Sequence, residues 1–427
     1  MIKFIDIVKD KKYFSTKVEG NSMFPLFHTN DILFFKKTTF NTIKTNDVLM
    51  IKKGKELITH RVIYRTGEYL ITKGDNNLIA DGKIYPKQII GKVYRTKRNG
   101  QIFNLENIYL FQSTLYFQEI LKIKKAFEKE KVDFVFLKGL PLHLYFEKKH
   151  PNRFYLDCDL LVAKKDLILS ETILLKLKYK KIDTYWTKTQ KHLQNKDTQF
   201  TYSKKVNDFV IVFDIHAEVS LSIVHLGRLD ALYPQVMLDQ LTNKLIREKK
   251  IVNIYGEKFP ILSLDNLCIY LAIHFFHHNF KGAFRLELLD KVIRQGVKKD
   301  PELLFKCAGI IKTYRLQNYL YLVFLLLKKY YKTPLTNQFL NEIRPQSDKL
   351  PYIQYLFSHD SIFDDELRMQ AAVNRFKNLF YLSPVPLIRK LLVFTNPQVI
   401  YSILWIFYRK SIKIIYIRKK TSYADII

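Results

Sequence analysis

The chain has 427 residues, 48% of them hydrophobic, enough for two or three domains with sizeable cores. Its three cysteines, Cys158, Cys268 and Cys307, have no paired spacing, which excludes a disulfide framework or a cysteine-based zinc site and fits a reducing compartment. The formal net charge of +31 leaves two readings open: attraction to nucleic acid or an anionic membrane surface, or compositional drift in a sequence rich in Lys, Ile, Asn, Tyr and Phe, as an AT-rich genome would give.

The first stretch, MIKFIDIVKDKKYF, has no apolar core of secretory-signal length. From there to residue 98, turn residues are dense: Gly20-Asn21, Lys53-Gly54, Thr66-Gly67, Gly74-Asp75 and Asp81-Gly82. The runs between them are short and β-branched or aromatic: Ile32 to Phe35, Val48 to Ile51, Thr59 to Tyr64, Tyr69 to Thr72 and Ile89 to Tyr94. This pattern predicts a small all-β domain over 1–98. Residues 99–110 read as the linker that leaves it.

Four boxes in this unit stand in order: GNSMFPLFHTNDILFF, IKTNDVLMIKK, ITHRVIY and ITKGDNNLIADGKIY. Together they resemble the type I signal peptidases (S24/S26-like), in the branch that uses His where the bacterial branch uses Lys. The resemblance implies a Ser/His/Asp endopeptidase fold. It makes Ser22 the nucleophile, His60 its general base and Asp81 the residue that orients the imidazole. Asp75 is a second structural or catalytic acid. The chemistry agrees: a serine hydroxyl is a poor nucleophile until an adjacent base takes its proton, and a His held in one tautomer by a carboxylate does this near pH 7. Taken singly, the three are a turn Ser, a strand His and a turn Asp. Signal peptidases carry flanking spanning helices, and no stretch here reaches the ~18 uninterrupted apolar residues such a helix needs. A peptidase of this chain is therefore expected to act in the cytoplasm, on a peptide or on its own chain. Self-cleaving SOS-type repressors share the broader fold but use Lys as base beside a DNA-binding module.

Phe111 to Val132 has apolar residues at helical spacing with charges between them, so it predicts an amphipathic helix. The run Phe134 to Leu137 ends at Lys138-Gly139, where a glycine permits positive φ and close approach to phosphate and the lysine adds a point charge. A second run, Leu156 to Val162, carries Asp157 and Asp159. In a strand, i and i+2 share a face, so these carboxylates lie side by side and call for a divalent cation; Mg²⁺ prefers one or two carboxylates plus substrate phosphate oxygens. Asp214 ends a third run, Phe209 to His216. Further strand and helix signals fall at Thr198 to Tyr202 and Lys164 to Leu177, giving β-α-β-α-β-β, a mixed sheet with helices packed on it. The alternative is ordinary surface carboxylates at strand ends.

LKG, Arg153, DxDLLV and DxH resemble the uncharacterised bacterial nucleotidyltransferases of the polymerase-beta-type fold. Most of the wider superfamily has Gly-Gly or Gly-Ser where this chain has Lys138-Gly139. The resemblance implies that Asp157 and Asp159 hold Mg²⁺ (or Mn²⁺), with Asp214 completing the site or acting as base. Lys138, Gly139 and Arg153 would hold a nucleoside triphosphate. The core spans 111–260 and a helical region 261–427.

In that region Asp265-Asn266 is read as the cap of LCIYLAIHFFHH, which puts His274 and His278 on one helix face with His277 beside them. The family has an H…H…RL…LLD pattern here, matched by His274, His278, Arg285, Leu286 and Asp290. With His216, these are candidate substrate contacts; packed structural histidines and a metal site are the other readings. Helices are expected over Leu303 to Tyr331 and Asp365 to Tyr381. The tail VIYSILWIFYRKSIKIIYIRKK, with Arg409, Lys410, Lys413, Arg418, Lys419 and Lys420, reads as a terminal core helix or an interfacial basic helix.

The reading is thus multidomain: a small all-β signal-peptidase-like domain, then an α/β (α+β) nucleotidyltransferase core with a C-terminal helical region. It predicts a bifunctional cytoplasmic protein, peripheral to the membrane if the tail docks, acting on a peptide or protein and on NTP with an acceptor not fixed by the sequence. The rivals are a peptidase with a C-terminal binding platform, and a non-enzymatic basic scaffold at the membrane surface or on nucleic acid.

Overall fold

The computed structural model describes residues 11–182, 199–207, 209–221, 229–397, 399–401, 403, 404 and 408. The basic tail residues from Arg409 onward lie outside the described residues, as do residues 1–10. Among the described residues, no helix is long and apolar enough to cross a membrane.

The N-terminal module is one antiparallel sheet. Its strands are β1 (Tyr13–Lys17), β2 (Ile32–Lys36), β3 (Val48–Lys53), β4 (Glu56–Arg65), β5 (Leu70–Lys73), β6 (Lys83–Ile84), β7 (Ile89–Arg98) and β8 (Gln101–Asn104). The order is β1-β2-β7-β3-β4-β5-β6, with β8 on β7. Strand β3 is buried on both faces, because Val48 and Met50 enter one core and Leu49 and Ile51 another. That is why VLMI is continuously apolar rather than alternating. The stretch expected as a linker is partly this sheet. Asn99 and Gly100 both take positive φ and turn β7 back onto β8, the Asn-Gly hairpin that matches strand twist.

Helix α1 (Leu105–Lys129) follows directly and is shared by two cores. Leu105 and Tyr109 pack with Met23, Leu26 and Phe35 of the first module. Tyr116, Ile120, Ile123 and Phe127 pack into the second. The expected start at Phe111 falls two turns inside the helix, because those turns are buried against the other module rather than against the downstream sheet.

The second sheet comprises β9 (Phe134–Lys138), β10 (Cys158–Val162), β11 (Lys180–Lys181), β12 (Gln199–Val206), β13 (Phe209–His216), β14 (Lys250–Ile254) and β15 (Glu257–Ile261), in the order β11-β12-β13-β10-β9-β15-β14. The β14–β15 hairpin, turned at Tyr255-Gly256 with positive φ at both, lies outside the predicted strands and extends the sheet beyond β9. Helices α2 (Leu140–Glu147), α3 (Leu167–Lys176) and α4 (Gln235–Arg247) connect strands. Then come α5 (Leu264–His277), α6 (Ala283–Lys299), α7 (Leu303–Thr313), α8 (Gln317–Tyr331), α9 (Asn337–Glu342), α10 (Leu350–Ser358), α11 (Arg368–Leu382) and α12 (Leu387–Leu391). The N-cap of α5 is Ser263, so Asp265 stands in the first turn instead of capping it, where its charge suits the helix dipole.

The helical region also touches the first module. Tyr64 donates to the Tyr330 carbonyl at 2.7 Å and packs its ring against Tyr330, Tyr331 and Phe363. Asp364 and Asp365 bond the loop after β5, and Lys73 pairs with Asp365.

Candidate active sites

In the first module, β4 carries His60 and Arg61 to the sheet end where β5 runs into the 74–81 loop. His60 Nδ1 lies 2.6 Å from Asp81 Oδ2. An ionised carboxylate can only accept, so Nδ1 carries the proton and Nε2 is left as the basic nitrogen. Thr72 donates to the same oxygen at 2.8 Å, and Asp81 N–H bonds the Thr72 carbonyl, which fixes the loop to β5. Burial resists ionisation of Asp81, but His60, Thr72 and Lys53 outweigh it and hold its pKa below the usual value.

Ser22 lies in the turn between β1 and β2, anchored by buried Met23, Leu26 and Phe27. Its carbonyl accepts from Asn76 N–H at 2.8 Å, and Asn76 Nδ2 bonds the Asn21 carbonyl at 3.2 Å. A Cβ on Gly74 would come within 2.6 Å of the Ser22 carbonyl, so only glycine lets the two loops meet. Half-buried Ser22 therefore sits beside the loop that ends at Asp81, although its hydroxyl makes no hydrogen bond to His60 here. Asp75 is placed elsewhere: it takes Arg61 Nε at 2.7 Å and Nη2 at 2.6 Å. Arg61 also bonds Tyr109 of α1 at 3.2 Å and the Asn46 carbonyl at 3.0 Å. Asp75 is thus half of a bidentate ion pair. Asp31 is similarly engaged, with Arg98, which also holds the Leu26 carbonyl of the Ser22 turn.

In the second module, register builds the site. Asp159 faces Lys138 across β9–β10, and Asp214 across the parallel β10–β13 pair; Asp214 faces Thr201 across β12–β13. Facing residues share a sheet face, so Lys138, Asp159, Asp214 and Thr201 form one row over four strands. Asp157 lies two residues before Asp159 on the same side. Ligand oxygens of Asp157, Asp159 and Asp214 lie within 4.8 Å of one another.

Lys138 Nζ is 3.0 Å from Asp157 and 2.8 Å from Asp159. His216 Nε2 donates to Asp159 Oδ1 at 2.9 Å, and Thr201 donates to Asp214 Oδ1 at 2.5 Å. Burial opposes the charge of Asp159, yet Lys138 and His216 keep it ionised. At Asp214 the balance is reversed: burial and the charges of Asp159 and Asp157 outweigh His216 and Thr201 and push it up to about 6. Gly139 adopts φ +105, and a Cβ there would meet Cys158 Cα at 3.1 Å. Its role in the structure is to let the β9–α2 turn lie against the DxD strand.

Helix α5 faces this row. Tyr270 stacks on His274 at 6.0 Å between centroids, and His274 meets His278 at 4.6 Å. Burial lowers the pKa values of His274, His277 and His278, and nearby Arg285 lowers them further. Among the described residues, no group containing these histidines is close enough to share an ion. Arg153 and Arg285 both lie against the exposed Phe284 ring, at 5.4 and 4.4 Å. Asp290 does not join them; its carboxylate is held by Arg294 at 2.9 Å and Thr333 at 2.7 Å. It lines a cavity of about 260 Å³ between the modules instead. Thr201, Tyr270 and Arg375 escaped the sequence reading. Only Thr201 had a signal, as a polar position in a predicted strand.

Comparison with known proteins follows this division. A family model described as uncharacterised nucleotidyltransferase matches residues 106–332, just over half of the chain. One described as Peptidase S24-like matches residues 2–94. Curated relatives of the N-terminal part include the signal peptidase complex catalytic subunit SEC11 of Leptosphaeria maculans, 35% identical over 91 residues, which are 20% of this chain and 53% of that one. The Saccharomyces cerevisiae subunit is 39% identical over 93 residues, 18% of this chain and 54% of that one. The chain thus spans about half the length of the curated relatives it matches. Two solved structures align at 12% identity. They are the antibiotic-resistance factor ANT(2'')-Ia (TM-score 0.31, 49% of this chain and 95% of that one) and an antigenic nucleotidyltransferase-like protein from Paracoccidioides brasiliensis (TM-score 0.29, 54% and 94%).

Proposed function

The chain belongs to the family described as uncharacterised nucleotidyltransferases, and from that premise we propose that it transfers a nucleotidyl group from an NTP to an acceptor, in a bifunctional protein whose first module is a Ser/His endopeptidase. The observation that carries the transferase reading is the row of Lys138, Asp159, Asp214 and Thr201 with Asp157 beside it.

The donor set fits a divalent cation, Mg²⁺ or Mn²⁺. It is three hard oxygen donors, and the mutual repulsion that raises Asp214 is what a cation relieves. Asp157, Asp159 and Asp214 would hold it, and when bound it would neutralise phosphate charge around the reacting phosphorus. The chain's own residues do the rest. His216 fixes the Asp159 carboxylate and Thr201 that of Asp214. Asp214, at the far side of the row and oriented by Thr201, is the carboxylate that would take the proton from an acceptor hydroxyl. That oxygen forms a bond to the α-phosphorus, the bond to the bridging oxygen breaks, and pyrophosphate leaves. Arg153, which shares the Phe284 ring with Arg285, would supply charge to phosphate.

For the peptidase, the supporting observation is the 2.6 Å contact of His60 and Asp81, which leaves Nε2 free to accept the Ser22 proton. Asp75 acts through Arg61 and takes no part in proton transfer. We place the protein in the cytoplasm, where NTPs are available to the second module.

The test is mass spectrometry of protein and lysate incubated with Mg²⁺ and four NTPs, for wild type, Ser22→Ala and the double variant Asp157→Ala/Asp159→Ala. A nucleotide-sized mass addition lost only in the double variant supports transfer. A new chain terminus lost only in Ser22→Ala supports the peptidase. A mass addition that persists in the double variant overturns the assignment of these carboxylates.

A further inference from the structure

The Lys138 ammonium, expected to meet a nucleotide's phosphates, is already committed to two carboxylates. A triphosphate in this cleft therefore needs its counter-charge from another place. The helical wall supplies one. Along α5, Tyr270, His274, His277 and His278 stand at i, i+4, i+7 and i+8, one face of the helix. The face begins at the acidic row, since Tyr270 lies in the field of Asp159, Asp157 and Asp214. It continues through His274 to His278, whose rings are 4.6 Å apart. It ends among cations: Arg285 from α6 acts on all three histidines, and Arg375 from α11 acts on His277, His278 and Arg285.

Two features show that this end is built. Gly282 has φ +87, and a Cβ there would occupy the place of the Arg285 guanidinium, so the glycine lets Arg285 fold over the entry to α6. Among the described residues, His274 Nε2, His277 Nδ1 and Arg375 Nε are buried without hydrogen-bond partners, which is costly unless a ligand supplies them. The carboxylate facing Arg375 is Glu366, and it already accepts from Asn279 at 2.7 Å and Asn374 at 2.6 Å. The cleft thus runs from a carboxylate row that suits a cation at one phosphate to a His/Arg end that suits further phosphate oxygens.

We propose that His274, His278, Arg285 and Arg375 form a polyphosphate subsite that takes the terminal phosphates of the nucleoside triphosphate. The assignment rests on the transferase reading of the neighbouring carboxylates. Arg375 lies beyond residues 106–332, so the subsite adds a residue outside the matched family segment.

The experiment is calorimetric titration of the full chain with sodium tripolyphosphate in EDTA, with sodium sulfate as the control anion. Tripolyphosphate is expected to bind more tightly than sulfate. Arg285→Gln and Arg375→Gln should each weaken it about tenfold or more, the loss of one charge-assisted contact. Arg375→Lys, which keeps the charge, should lose less, and a thermal melt of each variant separates lost binding from lost folding. The proposal is overturned if folded Arg285→Gln/Arg375→Gln binds tripolyphosphate as wild type does, or if sulfate binds equally well. A parallel assay with Mg²⁺ and NTP keeps the two readings apart. Transfer without Arg-dependent tripolyphosphate binding removes the subsite alone; Arg-dependent binding without transfer removes the transferase reading and leaves an anion site.

Discussion

The amide of Asp365 donates to the carbonyl of Leu78 at 2.7 Å, joining the helical region to the loop that carries Asp81. Beside it, Asp364 Oδ1 accepts from Ala80 N–H at 2.9 Å. The segment from Asp364 to Glu366 thus touches both candidate sites, because Glu366 holds Asn279 directly after His278. Asp364→Ala should therefore loosen the 78–81 loop. Amide hydrogen exchange at Ala80 is expected to rise about tenfold, from the loss of a charge-assisted bond of about 1.5 kcal/mol or more. Unchanged protection would mean that the loop is held from within its own sheet.

Lys138 is the cation between Asp157 and Asp159, and Asp159 is buried. Removing one partner of a buried pair costs about 3–5 kcal/mol. Lys138→Met should lower the melting temperature in EDTA, and Mn²⁺ should restore more of it than it adds to wild type, because the ion supplies the missing charge. Equal Mn²⁺ shifts in both proteins would separate the lysine from the cation site.

Asp214 titrates near 6 in the fold and near 3.8 unfolded. Between those values the folded state binds more protons than the unfolded one. Its contribution to stability is therefore greatest below the unfolded value and is lost as pH rises through about 6. Asp214→Asn removes this loss. In urea titrations with EDTA, the variant should gain up to roughly 3 kcal/mol on wild type between pH 4 and pH 7. Parallel curves for the two proteins would show that Asp214 is not raised.

Asp81 has the opposite sign. Burial resists its charge, but its partners depress its pKa, so its contribution is present above the ordinary carboxylate value and is lost as pH falls through the folded one. Asp81→Asn replaces the acceptor-only carboxylate with an amide whose NH2 can donate to Nδ1, so the His60 tautomer is no longer fixed. Fluorophosphonate labelling of Ser22, followed by peptide mapping, should slow by about 10²- to 10⁴-fold in Asp81→Asn and in His60→Ala. Equal labelling in all three proteins would leave Ser22 an ordinary turn serine.

Arg61 ties Asp75 to Tyr109, and so ties the His60 strand to α1. Arg61→Met should cost about 3–5 kcal/mol in chemical denaturation and Tyr109→Phe about 1 kcal/mol. If Arg61→Met were neutral, the ion pair would be dispensable to the junction between the modules.

The sequence by itself determined the division into a turn-rich β module and a mixed module, because alternation and turn residues are local signals. It also holds the residue types on which the proposed chemistry rests: Ser22, His60 and Asp81 in one module, Asp157, Asp159 and Asp214 in the other. The tertiary structure decided their partners. Strand register, which no local pattern encodes, set Lys138 and Thr201 in line with Asp159 and Asp214. Packing between separate elements gave Asp75 to Arg61, the structural one of its two readings, and Asp290 to Thr333, away from the other candidate substrate contacts. The same packing brought Arg375, far along the chain and without a motif, to the histidine face of α5. A residue's type is written in the chain; its neighbour is fixed by the contacts that bury apolar surface around it.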